Sequence, residues 1–198
     1  MACFEFELKP REESPSPRGF TGDIGPFGSV VVIRPRGNPK QASLKQVLLS
    51  GPSFPDAEFG GGRRILPSLD GGWLKVDGTL VDMDIKVKGV RKGSRWLEMA
   101  LQDRKYTYTS LGFRKQAQLK RESVTVTLNT GPWDPEKKRS PVRFGKAEGD
   151  VDATDLAIAL VLEEVDSGCL TTSGALLAIP GRILFGSGYR DEGMPGTE

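Results

Sequence analysis

Alternation of hydrophobic and polar side chains is the clearest pattern in this chain. Within residues 79–88, Val81, Met83 and Ile85 occupy alternate positions, and charged residues stand between and after them. Residues 3–8 alternate in the same way. A period of two predicts strands with one face buried and the other in water.

Shorter runs of β-branched, aromatic or alternating residues predict further strands. They are residues 29–33, 73–76, 95–101, 105–110, 123–128, 174–179 and 182–185, with 44–49 as either a strand or one helical turn. Asp77-Gly78 between two of these runs is a strong hairpin signal. The Gly- and Pro-rich segments 10–28 and 51–62 are predicted to be long loops.

Residues 153–165 are the best helix candidate. Asp152 is suited to cap this helix, and Asp155 falls at the third helical position, as in a capping box. The run 156–162 is apolar all round, so the helix should be buried on most sides. A fully buried strand is the alternative for this run.

Together these elements predict the fold class α+β, mainly β. We expect about eight to ten short strands in hairpins, with one buried helix near 153–165 in the C-terminal half. A length of 198 residues suits one domain. We predict that it covers residues 1–190 and is followed by a flexible tail at 191–198.

Charge is segregated along the chain. Residues 86–146 contain 16 Lys and Arg against 5 Asp and Glu, whereas residues 147–198 contain 2 against 10. A basic surface attracts anions, and an acidic surface can dock onto a basic neighbour. The basic segment therefore predicts an anion-binding surface for RNA, a nucleocapsid or an acidic phospholipid headgroup. Its residues are Arg91, Lys92, Arg95, Arg104, Lys105, Arg114, Lys115, Lys120, Arg121, Lys137, Lys138, Arg139, Arg143 and Lys146.

Five aromatic residues are interleaved with these cations. They could stack on bases or enter a membrane interface, although aromatic side chains more often belong to the core. They are Tyr106, Tyr108, Phe113, Trp133 and Phe144.

The chain contains no histidine. That absence removes Ser–His and Cys–His nucleophilic pairs and most catalytic zinc sites. Asp82 and Asp84 share a strand face at a spacing that a carboxylate pair or a hard metal could use. A solvated strand face explains them more simply. We predict that the protein is not an enzyme and needs no metal or cofactor.

Two further clusters have simpler explanations than ligand binding. Asp150, Asp152 and Asp155 lack the Gly and distal Glu of an EF-hand loop, and helix capping accounts for them. Residues 60–64, three glycines and two arginines, lack the Lys-Ser/Thr ending of a P-loop and favour a flexible basic loop.

Location is predicted from the cysteines and from the apolar runs. The spacing of Cys3 and Cys169 gives no argument for a disulfide, and two reduced thiols fit a cytosolic compartment. The start of the chain is acidic and alternating, unlike a signal peptide. No apolar run approaches the roughly 18 residues of a membrane span. We therefore predict a cytoplasmic protein whose membrane contact, where it occurs, is peripheral.

Residues 174–185 carry a resemblance to a known family. A strand followed by Gly181-Arg182 and two apolar residues resembles the C-terminal part of rhabdovirus matrix proteins. The resemblance implies a virion protein that self-associates beneath an envelope and bridges membrane and ribonucleoprotein. The chain departs from that family in its acidic start and in lacking Pro-Pro-x-Tyr and Pro-Thr-Ala-Pro signals.

Three functions remain open at this point. The first is a non-enzymatic structural or assembly protein that forms homo-oligomers and binds an anionic partner. The second is a small-molecule-binding β-barrel or sandwich, with the loops 10–28 and 51–62 framing a pocket. The third is a histidine-free enzyme that uses carboxylates or a lysine. The charge pattern favours the first.

Overall fold

The fold is a closed β-barrel that contains a helix. The computed structural model describes residues 2–11, 18–34, 46–62, 67–89, 94–111, 116–132 and 141–171. In these ranges twelve antiparallel strands close the barrel, and one α-helix follows the last strand. The elements are β1 (Ala2–Pro10), β2 (Arg18–Asp23), β3 (Ser29–Arg34), β4 (Gln46–Gly51), β5 (Phe54–Gly61), β6 (Gly72–Val76), β7 (Thr79–Val87), β8 (Arg95–Leu101), β9 (Arg104–Ser110), β10 (Ala117–Arg121), β11 (Val124–Thr130), β12 (Arg143–Gly149) and α1 (Ala153–Glu163).

The strands follow one another around the barrel in chain order. Each strand pairs with the next one along the chain, and β12 pairs with β1 to close the barrel. The closing register runs from Ala2 opposite Gly149 to Leu8 opposite Arg143. Inward-facing side chains of the strands form one core together with α1.

The predicted fold class is wrong. The sequence predicts eight to ten short strands in hairpins, whereas the described chain has twelve strands that close into one barrel. Four strands, β2, β5, β10 and β12, occupy segments where the sequence predicts none. β2 and β5 run through the predicted loops 10–28 and 51–62. The mainly-β character and the helix near 153–165 are confirmed.

Glycines hide two of these strands from the alternation pattern. A Cβ on Gly145 of β12 would lie 2.0 Å from the ring of Phe6, and a Cβ on Gly60 of β5 would lie 2.3 Å from the ring of Trp73. Both glycines therefore make room for a large aromatic ring on the neighbouring strand. A residue without a side chain adds nothing to a hydrophobic period, so the strand is not apparent from sequence.

Most of the strands predicted from alternation are present. Residues 79–88 correspond to β7, and residues 46–49, the described part of the segment 44–49, belong to strand β4 and not to a helical turn. Asp77 and Gly78 form the predicted hairpin turn, with φ values of 46° and 73°. The predicted strands 174–179 and 182–185 and the predicted tail 191–198 lie outside the described residues.

Helix α1 lies inside the barrel. It contacts β4 and β5 on one side and β10 and β11 on the other. β5 and β11 are six positions apart in the twelve-strand order, on opposite walls. Every residue from Asp155 to Glu163 is buried, as expected for a helix that is apolar all round.

The predicted capping box starts this helix. The Asp155 N–H donates to Asp152 Oδ1 at 3.0 Å, and the Asp152 N–H donates to Asp155 Oδ2 at 3.1 Å. These bonds satisfy two backbone donors at the helix start that would otherwise lack partners.

The connections between strands alternate between two ends of the barrel, because successive strands run in opposite directions. The turn end carries the short connections, which are residues 24–28, 52–53, 77–78, 102–103, 122–123 and 150–152. The loop end carries the longer connections, which are residues 11–17, 35–45, 62–71, 88–94, 111–116 and 131–142. α1 starts at the turn end, and its last turn points to the loop end.

Candidate functional site

The connections at the two ends of the barrel differ in charge. The loop-end connections contain 14 Lys and Arg against 5 Asp and Glu, whereas the turn-end connections contain 5 Asp and Glu and no Lys or Arg. The 14 cations are Arg11, Arg36, Lys40, Lys45, Arg63, Arg64, Lys88, Arg91, Lys92, Arg114, Lys115, Lys137, Lys138 and Arg139. The five turn-end carboxylates are Asp77, Asp103, Glu122, Asp150 and Asp152.

Half of the 14 predicted anion-binding residues lie outside the described residues. All of these belong to the connections β7–β8, β9–β10 and β11–β12, whose flanking strand ends lie at the loop end. The six strands concerned are consecutive in the barrel, so the three connections leave from one half of this end. They are Arg91, Lys92, Arg114, Lys115, Lys137, Lys138 and Arg139.

Four other predicted residues lie at the turn end. Lys105 and Lys120 are exposed there. Arg104 forms an ion pair with Asp152. Arg121 donates from Nε to Asp155 Oδ1 at 2.9 Å and from Nη2 to Asp155 Oδ2 at 2.8 Å. These hydrogen bonds raise the pKa of Arg121 above its usual value, and both arginines tie the start of α1 to the wall.

The remaining three predicted residues are Arg95, Lys146 and Arg143. Arg95 Nη1 donates to the Cys169 carbonyl at 3.3 Å. Lys146 pairs with Glu148 at 2.7 Å, and this hydrogen bond raises the pKa of Lys146. The seven predicted residues that the structure describes therefore do not share one surface, because they are distributed among the turn end, the wall and the interior of the barrel.

Arg143 lies inside the barrel, with 2% of its side chain exposed. Its Nη2 donates to Glu164 Oε1 at 3.0 Å, and its Nε lies 3.6 Å from Glu163 Oε1. The guanidinium carbon lies 4.5 Å from the centre of the Phe20 ring. Arg34 Nη1 lies 3.5 Å from Glu164 Oε2 on the other side. Two buried arginines and two buried glutamates thus tie the end of α1 to β12 and β3.

Sequence reasoning missed the role of Glu163 and Glu164. The available signal was their position, because two carboxylates that end an apolar, buried helix require buried cations nearby. The prediction assigned the acidic segment 147–198 to contacts with a neighbouring molecule. In the described residues, Glu163, Glu164, Asp152 and Asp155 instead pair with arginines of the same chain.

Exposed apolar side chains border the basic connections at the loop end. Val87 ends β7 and is 49% exposed, Leu111 follows β9 and is 48% exposed, and Phe144 near the start of β12 is 44% exposed. Lys88 lies over the ring of Trp96, at the start of β8, at 5.2 Å. This half of the loop end therefore combines cations with apolar surface.

The five interleaved aromatic residues have different positions. Tyr106 and Tyr108 are core residues. Burial raises the pKa of Tyr108 well above its usual range, and its hydroxyl donates to the Leu162 carbonyl at 3.3 Å. Phe144 is exposed, whereas Phe113 and Trp133 lie outside the described residues.

The barrel lumen offers little room for a ligand, because α1 fills it. A cavity of about 10 Å³ lies beside Arg143 and is lined by apolar side chains and by Glu163 and Glu164. That volume corresponds to about one water molecule.

The other candidate sites are ordinary surface or structural features. Asp82 and Asp84 are exposed, and Asp84 pairs with Lys86 at 2.5 Å. Asp152 and Asp155 cap α1, while Gly60 and Gly61 belong to β5. The part of the chain that the structure describes holds no group of three or more His, Cys, Asp or Glu side chains arranged for a metal ion.

The thiols and the helix give no further site. Both cysteines are free: Cys3 is exposed at the start of β1, by the turn end, and Cys169 follows α1. Among the described residues, no helix has the length and apolar character required to span a membrane.

Comparisons with models of protein families, with curated proteins and with solved structures found no match for this chain. Its function is therefore argued from the charge and the exposed surface of the barrel.

Proposed function

We propose that this protein is a non-enzymatic assembly protein that binds an anionic phospholipid surface through its loop end and associates with copies of itself. The observation that supports the proposal is the difference in charge between the connections at the two barrel ends. Cations scattered for solubility would be mixed with acidic residues on all faces. In this chain the connections rich in Lys and Arg follow strand ends that lie at one end of the barrel, which supports the proposal.

The apolar side chains at this end favour a membrane over RNA. Val87 and Leu111 are aliphatic and have no π-face on which a base could stack. Exposed aliphatic and aromatic residues among cations are typical of a surface that enters the headgroup region of an anionic bilayer. The resemblance of residues 174–185 to rhabdovirus matrix proteins agrees with this proposal.

Co-sedimentation with phosphatidylserine liposomes tests the proposal, with phosphatidylcholine liposomes and single-stranded RNA as comparisons. We expect binding to phosphatidylserine at about 50 mM salt that weakens at about 300 mM, because salt screens the attraction. Retention on RNA but not on liposomes would replace the lipid by a nucleic acid. Absence of binding to both would refute an anion-binding loop end.

Strands β9 and β10 offer a matched pair of variants. Arg114→Glu with Lys115→Glu reverses two charges in the connection between these strands, and Lys105→Glu with Lys120→Glu reverses two charges at the turn end of the same strands. A cation near an anionic membrane contributes about 1 kcal/mol, so the loop-end variant should bind at least about 30-fold more weakly. The turn-end variant should bind as the unmodified protein does. Equal loss in both variants would contradict the assignment to the loop end.

A further inference from the structure

Strand β7 is paired along only part of one edge. On the side of β8 it pairs through residues 82–87, whereas on the side of β6 it pairs only through residues 79–81. The residues that precede β6, 67–71, instead form two backbone hydrogen bonds with Asp166 beyond the end of α1, at 2.8 and 3.2 Å. β6 and β7 therefore separate toward the loop end.

Three residues of β7 direct their backbone groups at this gap. The Lys88 N–H donates to the Ser94 carbonyl, on the β8 side, at 2.8 Å. Because backbone groups alternate between the two sides of a strand, Met83, Ile85 and Val87 direct their N–H and C=O groups away from β8. No pairing on that side joins these three to another residue of the described chain. Such an edge is a template for a further strand.

The same three residues leave apolar side chains uncovered along the gap. Val81, where β6 still pairs, is buried, whereas Met83 and Ile85 are half-buried and Val87 is exposed. A strand added to this edge would cover that row and satisfy the backbone groups beside it.

The outward face of this edge has a symmetric charge pattern. Asp82 and Asp84 precede Ile85, and Lys86 and Lys88 follow it at the same distances along the strand. When two such strands pair antiparallel about Ile85, Asp84 lies opposite Lys86 of the other copy, and Asp82 lies opposite Lys88. The edge is therefore complementary in charge to itself.

We infer that β7 of one copy pairs antiparallel with β7 of a second copy, with the two-fold axis at Ile85. This register also places the free backbone groups of Met83 opposite those of Val87, as antiparallel hydrogen bonding requires. The contact is isologous, so it closes into a dimer and does not extend into open chains.

Other registers bring like charges together. A pairing centred on Met83 would place Asp82 opposite Asp84, and one centred two residues beyond Ile85 would place the two lysines opposite each other. Parallel pairing in register would place each charged residue opposite its own copy. Like charges directly opposite each other destabilise a strand pair, so charge selects the register centred on Ile85.

The neighbouring charged groups agree with this register. Within one copy, Lys86 Nζ lies 2.5 Å from Asp84 Oδ2 and 3.8 Å from Glu98 Oε2 of β8. Lys75 of β6 pairs with Glu58 at 3.4 Å, on the side of β6 that faces β5. In the inferred dimer the Asp84 carboxylate lies between its own Lys86 and Lys86 of the second copy.

This inference rests on the proposed function, because it supplies the surface through which copies associate. β7 runs from the turn end to the loop end, so antiparallel pairing directs the loop ends of the two copies in opposite directions. A dimer of this kind bridges two anionic surfaces.

Two single charge reversals test the pairing. Lys86→Asp places Asp84 opposite an aspartate, and Asp84→Lys places Lys86 opposite a lysine. Both side chains reach solvent, so the barrel should keep its fold. By sedimentation velocity at protein concentrations up to about 500 μM, a range suited to a small interface, the unmodified protein should dimerise. Each variant alone should associate at least about tenfold more weakly, because two favourable pairs become two repulsive ones.

Mixing the two variants gives the decisive result. In an equimolar mixture each aspartate again opposes a lysine, so dimers should return, as they should in the double variant Asp84→Lys with Lys86→Asp. The control Lys120→Asp, on the outward face of β10, should dimerise as the unmodified protein does. Val87→Pro removes an N–H that faces the gap and should weaken the dimer without a change of charge.

Three results would overturn the inference. They are an unmodified protein that stays monomeric over the whole concentration range, a mixture of the two reversals that stays monomeric, and a single reversal that dimerises as the unmodified protein does.

Phosphatidylserine liposomes separate this inference from the proposed function. The unmodified protein should bind and cluster them, whereas Asp84→Lys should bind at least as well, because it adds a cation, and cluster them several-fold less. Equal clustering by both would overturn the opposed arrangement of loop ends. If liposomes are bound but the unmodified protein is monomeric, the strand pairing is wrong and the anion-binding proposal stands. If the mixture dimerises but no form binds liposomes or RNA, the pairing stands and the anion-binding proposal is wrong.

Discussion

Replacement of Arg143 by methionine distinguishes a buried structural arginine from a surface anion-binding residue. The guanidinium contacts Glu164 at 3.0 Å and Glu163 at 3.6 Å, and it donates from Nη1 to the Pro141 carbonyl at 3.3 Å. Its removal leaves two carboxylates, 3% and 5% exposed, with reduced compensation. Removal of one partner from a buried ion pair costs about 3–5 kcal/mol. We expect the free energy of unfolding to fall by that amount, a large share of the roughly 5–15 kcal/mol of a typical domain.

Urea unfolding followed by circular dichroism measures this loss. Combining Arg143→Met with Glu164→Gln should recover part of the stability, because one uncompensated carboxylate is then removed. Arg143 donates to Glu164 Oε1 from both Nε, at 3.3 Å, and Nη2, at 3.0 Å. Arg143→Lys should be intermediate, since lysine keeps the charge but has only one nitrogen with which to make this contact. A loss below about 1 kcal/mol for Arg143→Met, together with weaker liposome binding, would refute the interior location and restore the predicted surface role.

Two other perturbations test the core. Burial raises the pKa of the Tyr108 hydroxyl. Above pH about 10 the unfolded chain therefore loses the hydroxyl proton while the folded chain keeps it. The free energy of unfolding should then fall by up to about 1.4 kcal/mol per pH unit. Tyr108→Phe should remove that part of the slope in urea unfolding between pH 8 and 11, and an unchanged slope would count against a buried phenol. Gly145→Ala places a Cβ 2.0 Å from the Phe6 ring and should cost about 1–3 kcal/mol, whereas Gly89→Ala, with its nearest atom at 3.8 Å, should change thermal stability little. Equal melting temperatures for these two variants would contradict the close approach of β12 to β1.

The sequence predicts elements well wherever side chains carry a period. β7 and β1 follow from alternation, and α1 follows from its capping box and apolar run. β12 does not, because Gly145 leaves a gap in its inward face where Phe6 fits. Once β12 is known to be a strand, the alternation of Arg143, Gly145 and Ala147 directs Arg143 inward.

The missed strands also explain why the charged ends could not be assigned in advance. In an up-and-down barrel, each strand reverses the end at which the next connection lies. If β2 is not recognised as a strand, every connection after it is therefore assigned to the wrong end. If β5 is also not recognised, the connections after β5 are assigned to the correct end again. The number of charged residues in each segment follows from the sequence. The end of the barrel to which each segment belongs can be assigned only when every strand has been identified.

The position of α1 in the chain has a consequence for biosynthesis. The helix that fills the barrel comes after all twelve strands, and β1 pairs with β12 across almost the whole described length. During translation the walls therefore leave the ribosome before the segment that covers their apolar inner faces. Pairings so distant in sequence form slowly, and uncovered apolar surface makes nascent chains prone to aggregate. A chain that stops before residue 153 would lack the helix that covers the apolar inner faces of the strands, and those faces would remain available to chaperones.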